Sequence, residues 1–243
     1  MKKILYLAAC LAATALFSLV PEALADKAKP YQPQHSKATI GDVKITLAGP
    51  AGFNRIDGLD QNLDDILLST QPANAAALAI YAEPESWKAF NNRQGDEAQA
   101  GLHCHALITT PISLASEEIN TEEFQAMMTE MAEGLKNDVQ QKRDMTASLD
   151  LVSNHQVEKA TGVVERFLVL DSAPNYITYS MSSRLDLKFK GVSDGRISRT
   201  NMVNSTILID GKILNLHLMA DDNGPSPEAL AAMAVAWRAS FTK

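Results

Sequence analysis

The clearest alternation of apolar and polar residues lies at 202–219, where two runs of β-forming side chains flank Asp210 and Gly211. An Asp-Gly dipeptide favours a two-residue hairpin turn, because both central residues of that turn need positive φ. The pattern therefore predicts a β-hairpin in which residues equidistant from the turn face each other, such as Ile207 and Leu214. One side of this ribbon is almost entirely apolar, because side chains alternate with period two.

The opposite side of the hairpin carries four polar side chains, Asn204, Thr206, Asn215 and His217. The same register places Thr206 opposite Asn215 and Asn204 opposite His217, so donors and acceptors lie on adjacent rungs. A solvated sheet surface is the simpler interpretation of this polar quartet. The functional interpretation is a ligand-binding site, which requires that helices leave part of this face open as a cleft.

Two segments have the apolar spacing of amphipathic helices. Thr121 is predicted to cap the first helix, while Ser226 is predicted to cap the second, with Pro227 at its first helical position. The second helix needs a surface to pack on, and the apolar side of the preceding sheet is the nearest candidate. The two stripes consist of Phe124, Met127, Met128, Met131, Leu135 and Val139 in the first helix and of Leu230, Met233, Trp237 and Phe241 in the second.

Most of the remaining chain is rich in β-forming residues separated by short turns, which predicts antiparallel pairing. The acidic stretch 57–65 is predicted as a short helix or an irregular loop, because its aspartates do not have the spacing of a calcium loop. The fold class is therefore α/β of the α+β kind, with one mostly antiparallel sheet flanked by helices. Predicted strands, besides the hairpin, are 41–47, 75–81, 101–110, 149–152, 157–159, 163–170 and 176–189.

The first 25 residues have the layout of a secretory signal peptide, with two lysines, an apolar stretch and Ala-Leu-Ala before Asp26. Cleavage after Ala25 predicts a periplasmic or secreted protein with a flexible leader at 26–38 and a single domain at 39–243. A lipoprotein attached through Cys10 is a weaker alternative, because too few residues precede Cys10 for an export signal. An uncleaved membrane anchor is the third possibility.

The charge balance restricts the class of partner. The chain has a formal net charge of −7, and removal of Lys2, Lys3 and Glu22 with the signal peptide leaves 20 basic against 28 acidic residues, a net charge of −8. An acidic surface repels phosphate backbones and anionic lipid headgroups. A nucleic-acid partner is therefore not expected, and the partner is a protein or a small molecule. No membrane span is expected in the mature chain, because it has no second apolar run long enough to cross a bilayer.

His103 and His105 are the candidate metal ligands. In a strand at 101–110 they project from the same side, two residues apart, whereas Cys104 projects from the other side. A zinc or copper ion would need a third ligand, for which His217 or a carboxylate is suitable. The alternative is a half-exposed strand that carries two polar rings. Cys104, the one cysteine of the mature chain, is expected to be buried and inert.

Enzyme signatures are absent from the sequence. It contains no Gly-x-Ser-x-Gly elbow, no phosphate-binding glycine-rich loop and no His-Glu-x-x-His motif. The sequence therefore favours a non-enzyme and predicts no cofactor apart from the zinc that the histidine pair could hold.

The order of elements resembles the PsbP-like superfamily, which includes bacterial DcrB-like proteins. The resemblance rests on the segment ITLAGPAGF at 45–53, a long middle helix, a meander of long strands and a closing helix that ends in WRASF at 237–241. It implies an α/β/α sandwich and a non-catalytic binding or accessory module of the bacterial cell envelope. Two alternatives are a metal-dependent enzyme or metal-binding protein that uses His103 and His105, and a carrier of a small hydrophobic ligand, suggested by the methionine-rich helix.

Overall fold

The computed structural model describes residues 35–60, 74–92, 102–140, 157–189 and 196–242. The signal peptide predicted at 1–25 and the strand predicted at 149–152 lie outside these residues. In chain order the described strands are β1 (His35–Ile40), β2 (Val43–Ala48), β3 (Asn54–Arg55), β4 (Ala75–Ala82), β5 (Cys104–Pro111), β6 (Val157–Ala173), β7 (Tyr176–Phe189), β8 (Arg196–Ile209) and β9 (Lys212–Asp221). The helices are α1 (Pro84–Asn92), α2 (Thr121–Gln140) and α3 (Pro227–Ala239).

Seven of these strands form one sheet in the order β3-β4-β5-β9-β8-β7-β6, and every neighbouring pair is antiparallel. Strands β1 and β2 form a separate antiparallel hairpin. The predicted α+β class and the mostly antiparallel sheet are therefore confirmed. None of the helices that the structure describes is both long and apolar enough to cross a membrane.

The central hairpin of the sheet, β8–β9, has the predicted register. Ile207 pairs with Leu214, while Asp210 and Gly211 form the turn with φ values of 47° and 75°. The alternation of apolar and polar side chains that predicted this hairpin also determines which residues face each side of the sheet.

Buried apolar residues form two clusters, one on each side of the sheet. Successive residues of a strand contribute to the two clusters in turn, because side chains alternate between the sides. We call the side that carries Phe124 and Met128 of α2 the α2 side; it also holds Trp87 and Phe90 of α1. We call the other the α3 side, which holds residues of α3 and of the β1–β2 hairpin. From the sheet, Met202, Leu107 and Ile213 belong to the α2 side, and Val203, Ile108 and Leu214 belong to the α3 side.

Helix α3 begins and packs as its sequence predicts. Ser226 is the N-cap, its hydroxyl accepts a hydrogen bond from the Ala229 N–H at 3.3 Å, and Pro227 follows at the first helical position. Leu230 and Trp237 are buried, and the Trp237 indole N–H donates to the Ala48 carbonyl at 2.6 Å. The terminal helix is thus anchored to both the sheet and the β1–β2 hairpin.

Helix α2 begins one residue earlier than its predicted cap implies. Thr121 is the first helical residue, and the preceding Asn120 is the cap: the Glu123 N–H donates to Asn120 Oδ1 at 2.9 Å, and the Asn120 N–H donates to Glu123 Oε2 at 3.2 Å. This reciprocal pair is a capping box. The prediction of Thr121 as the cap was wrong because an amide and a hydroxyl residue stand side by side and both suit the position.

Replacement of Asn120 by alanine is expected to lower the free energy of unfolding by about 1 kcal/mol, because the side-chain acceptor for a helix N–H is lost. The matched control is Thr121→Ala, which removes a hydroxyl from an exposed first helical residue and should change stability by less than about 0.5 kcal/mol. Urea unfolding of both variants measures the difference. Equal losses in the two variants would contradict the assignment of the cap to Asn120.

Two strands differ from the sequence-based expectation. Strand β1 begins at His35, inside the predicted leader, because pairing with β2 orders a segment that has no apolar period of its own. The predicted strands 157–159 and 163–170 join into the single strand β6, which continues to Ala173. In the acidic stretch, Asp57 receives hydrogen bonds from the Arg55 guanidinium at 2.6 and 2.7 Å, and residues 61–65 lie outside the described chain.

Candidate functional site

The polar quartet lies at the centre of the sheet on the α2 side. Thr206 is opposite Asn215 and Asn204 is opposite His217, as the hairpin register predicts. The four residues are between 1 and 4 % exposed, so the interpretation as a solvated sheet surface is wrong. The sequence does not show this burial, because it depends on what packs over the α2 side.

A row of hydrogen bonds runs through His217 and Asn204 of the quartet and joins four neighbouring strands. His217 Nδ1 lies 2.8 Å from Asn204 Oδ1, and His217 Nε2 lies 3.0 Å from the Thr109 hydroxyl. Because an amide oxygen only accepts, Nδ1 carries the imidazole proton and Nε2 accepts from Thr109. Asn204 Nδ2 then donates to the Tyr179 hydroxyl at 3.2 Å. Each residue of the row therefore donates a hydrogen bond to the next one, in the order Thr109, His217, Asn204 and Tyr179.

The imidazole of His217 is held neutral. Burial lowers its pKa to about 4, because a charged ring loses its hydration inside the sheet. The order hydroxyl, imidazole and amide is also that of a nucleophile, its base and an orienting group. Thr109 is buried, however, so this hydroxyl is not exposed to a substrate in solution. In this conformation the row is a structural element that ties β5, β9, β8 and β7 together, and its use for a ligand stays a prediction.

Thr109 and Tyr179 were missed by the sequence reasoning. Thr109 lies on the predicted strand of the histidine pair, two rungs from His217 in the β5–β9 ladder, where Leu107 is its direct partner. The order of strands in the sheet was needed to find this contact, and no local pattern reports that order. Thr206 and Asn215 form their own link, since the Thr206 hydroxyl donates to Asn215 Oδ1 at 3.0 Å.

The histidine pair occupies two different environments at the start of β5. His103 is partly exposed and its Nδ1 lies 2.9 Å from Asp221 Oδ2. His105 is buried, and burial lowers its pKa to about 4, against smaller raising effects of a hydrogen bond with the Leu102 backbone and of the Asp221 charge. His217, the expected third ligand, directs both ring nitrogens at Asn204 and Thr109.

Metal binding by His103 and His105 stays a prediction from the sequence. Among the residues that the structure describes, no group of three or more histidine, cysteine, aspartate and glutamate side chains could hold a metal ion. Cys104 is free and buried as expected, on the α3 side. Burial first, and then the charges of Glu83 and Asp221, raise the pKa of its thiol to about 12. This thiol is therefore protonated and unreactive while the sheet is closed.

A charged cluster that the sequence did not indicate joins α3 to the β6–β7 turn. The Arg238 guanidinium donates to Asp171 Oδ2 at 2.7 Å and lies 3.7 Å from the ring centroid of Tyr176. The Tyr176 hydroxyl also donates to Asp171, at 3.1 Å. Arg238 holds the pKa of Asp171 below its ordinary value. The two charged partners are 67 residues apart, so only the folded chain brings them together.

Strand β6 is the last strand of the sheet, and no other described strand pairs with its outer edge. Its pairing with β7 is irregular between Val164 and Arg166 and again between Val169 and Asp171. A regular stretch from Arg166 to Val169 remains between them. Leu168 lies in this stretch on the α3 side and is 44 % exposed, one of two large apolar residues exposed in the described chain.

Three arginines lie on the α3 side in the three adjacent strands β6, β7 and β8. Arg184 of β7 is directly opposite Arg199 of β8, and Arg166 of β6 is opposite Ser182, two residues along β7 from Arg184. Alternation places them on the α3 side, because Val203 in β8 and Leu170 in β6 belong to that cluster. Arg166 and Arg199 are exposed and Arg184 is half-buried. We call these three residues the arginine strip.

Comparison with known proteins gives few matches. No family model matches the chain, and no curated protein matches it. Two similar solved structures are those of the Ran-binding protein Mog1p of Saccharomyces cerevisiae and of a point mutant of Mog1. Each is 10 % identical, with 86 % of this chain covered and a TM-score of 0.30; the alignments cover 92 % of the first and 93 % of the second. This likeness is too low to carry an argument about fold or function.

These findings correct two expectations from the sequence. The assignment to the PsbP-like superfamily and its DcrB-like members is wrong: no family model matches, and the solved structures found are Mog1 proteins. The resemblance used the order of elements and apolar spacing, which unrelated antiparallel folds share. The role as an exported module of the bacterial cell envelope is also withdrawn, since it rested on that family and on a signal peptide for which the comparisons give no support.

Proposed function

We propose that this chain is a protein-binding module that adds an extended segment of a partner to the outer edge of β6. The observation that carries the proposal is the regular stretch Arg166 to Val169 at the end of the sheet, with Leu168 exposed beside it. An edge strand presents backbone N–H and C=O groups at the spacing that an incoming strand needs.

The edge has features of a selective docking surface. The irregular pairing on both sides of the stretch, together with the exposed charges of Glu165 and Arg166, limits indiscriminate pairing with other strands. Leu168 offers an apolar contact for one side chain of the partner. Main-chain hydrogen bonds supply affinity in this mode of recognition, and alternate side chains supply specificity.

The interior of the protein supports a surface role over an internal site. The polar groups at the sheet centre bind one another in the row from Thr109 to Tyr179, and the residues around them are buried apolar side chains. Groups satisfied in this way stabilise a unique arrangement of strands. Among the described residues, β6 and the neighbouring arginines combine an outermost strand with exposed apolar and charged side chains.

The proposal includes an α/β/α sandwich as the scaffold. Helices α1 and α2 contribute to one apolar cluster, α3 and the β1–β2 hairpin contribute to the other, and residues of the sheet alternate between them. A sheet supported from both sides is a rigid platform, on which β6 is the outermost of the described strands at one end. Rigid presentation lowers the ordering cost of binding, which is then confined to the partner.

A displayed library of random 12-residue peptides, selected on the purified chain, tests the proposal. We expect selected peptides to slow amide hydrogen exchange in β6, because their backbone would pair with it. We expect Leu168→Asp to weaken their binding about tenfold, since a charge replaces the apolar contact. Calorimetric titration gives the dissociation constants.

Ile112→Asp is the matched control, because Ile112 is the other large apolar residue exposed in the described chain, at 52 %, and it follows β5 rather than β6. Both substitutions should leave the unfolding midpoint nearly unchanged, as both sites are open to solvent. The proposal fails if protection maps to another strand, or if the two variants weaken binding equally.

A further inference from the structure

The arginine strip is unfavourable for the isolated fold. Directly opposed residues of an antiparallel pair have Cβ atoms about 5 Å apart, and like charges at that distance destabilise the sheet. Arg184 and Arg199 are such a pair. The chain as a whole has a net charge of −7, so three arginines on adjacent strands form a positive region on a protein that is negatively charged overall. A surface that holds like charges together in this way is suited to an anionic partner.

Arg166 and Arg199 are available for such a partner. Both are exposed, and neither forms an ion pair with any residue in the described part of the chain. Arg184 lies between them with an interaction of its own, so it adds charge to the strip rather than an open hydrogen-bonding group. The guanidinium groups of the two exposed residues have the donor geometry that carboxylates accept in pairs.

We propose that the segment bound at β6 is acidic and that its carboxylates face the arginine strip. This inference rests on the proposed function, because the segment's backbone is placed by pairing with β6. Arg166 belongs to the regular stretch of that edge and would contact a carboxylate of the added strand directly. Arg184 and Arg199 lie one and two strands further in, about 5 and 10 Å from β6.

The strip would act on alternate residues of the partner. Side chains of an added strand point to the α3 side at every second position, about 7 Å apart. A segment with an acidic residue at alternate positions therefore directs all its carboxylates to the side that carries the arginines. The more distant Arg199 acts only through its field, which is screened over about 8 Å at physiological ionic strength and reaches about 30 Å at 0.01 M salt, so its contribution is expected at low salt.

An acidic peptide fits better than a nucleic acid, although both are anionic. A nucleic acid gains affinity from basic residues spread over a large surface, whereas this chain carries more acidic than basic residues. An extended peptide also uses the backbone groups of β6, which a phosphate backbone cannot pair with as a strand. Single-stranded DNA is therefore a comparison in the test.

Three synthetic 12-residue peptides, with Val alternating with Glu, Gln or Lys, test the inference by titration against the full chain. We expect the Glu peptide to bind roughly tenfold more tightly than the Gln peptide at low salt, and the advantage to shrink at high salt as the charges are screened. Arg166→Ala should reduce the advantage about fivefold and Arg199→Ala about twofold. Lys88→Ala, a change at an exposed basic residue of α1, is the control and should have no effect.

The outcomes separate the inference from the function on which it rests. Equal binding of the Glu and Gln peptides, both with protection of β6, overturns the acidic partner and leaves the protein-binding function supported. Tightest binding of the Lys peptide does the same. Binding of a 12-residue oligothymidine that is lost in Arg166→Ala, with no binding of the Glu peptide, overturns the acidic peptide in favour of a nucleic acid. No binding by any of the three peptides counts against both proposals.

Discussion

Substitution of Trp237 by aspartate is expected to lower the free energy of unfolding by about 5 kcal/mol. The indole is buried in the α3-side cluster, its N–H donates to the Ala48 carbonyl at 2.6 Å, and its ring meets Phe241 edge-on with centroids 6.5 Å apart. Loss of a buried aromatic side chain costs roughly 3 to 5 kcal/mol, and a carboxylate without a partner in its place adds to the loss. Since whole domains are stable by only about 5 to 15 kcal/mol, this change should leave α3 undocked in a large fraction of molecules.

Trp237→Phe is the control that separates packing from hydrogen bonding. A phenyl ring retains most of the apolar contact but leaves the Ala48 carbonyl without its donor, so a loss of about 1 to 2 kcal/mol is expected. Chemical denaturation followed by circular dichroism measures both variants. An unfolding midpoint that stays the same in Trp237→Asp would mean that α3 does not dock on the sheet and on the β1–β2 hairpin.

The stability of the protein is expected to fall steeply as the pH is lowered from about 6.5 to about 4. His105 and His217 are buried, and burial lowers the pKa of each ring from 6.5 to about 4. Between these two values the unfolded chain binds a proton at each ring and the folded chain does not. Acid therefore favours the unfolded state, and the loss is complete below the folded pKa. Above pH 6.5 both rings are neutral in both states and stability is constant with respect to them.

The expected loss is about 3 kcal/mol for each imidazole, which is the free-energy equivalent of its pKa shift. Urea unfolding at several pH values between 7 and 4 measures the slope. In His217→Gln, whose amide can still hydrogen-bond Thr109 and Asn204, the dependence should fall to about half of that in the parent chain. Parallel curves for the two proteins would contradict the burial of a neutral His217.

Much of the architecture could be predicted from local patterns. The β8–β9 hairpin follows from Asp210-Gly211 and from alternation, and both its turn and its register are confirmed. Helix α3 was predicted with its cap because Ser226 and Pro227 carry the signal in the sequence itself. These features depend on residues close in the chain, where propensity and periodicity decide the outcome.

Features that depend on strand order could not be predicted in the same way. The burial of His217 and its bond to Thr109 require that β5 lies beside β9, although a long helix and three strands separate them in the chain. The arginine strip requires the register of β6 against β7, which pairing irregularities shift. The family resemblance failed for a related reason: apolar spacing reports that a sheet and helices form, and many folds meet that condition.

The buried position of Cys104 makes its thiol a reporter of local opening in the folded protein. The thiol lies in β5, next to the middle strand β9 of the sheet. It is fully buried, and its pKa of about 12 leaves almost no thiolate while it stays buried. A thiol-modifying reagent added to a chain whose Cys10 is replaced by serine can react only after the α3 side has opened and exposed this thiol. The rate of modification then measures how often the α3 side opens in the folded protein, without a dye or a denaturant.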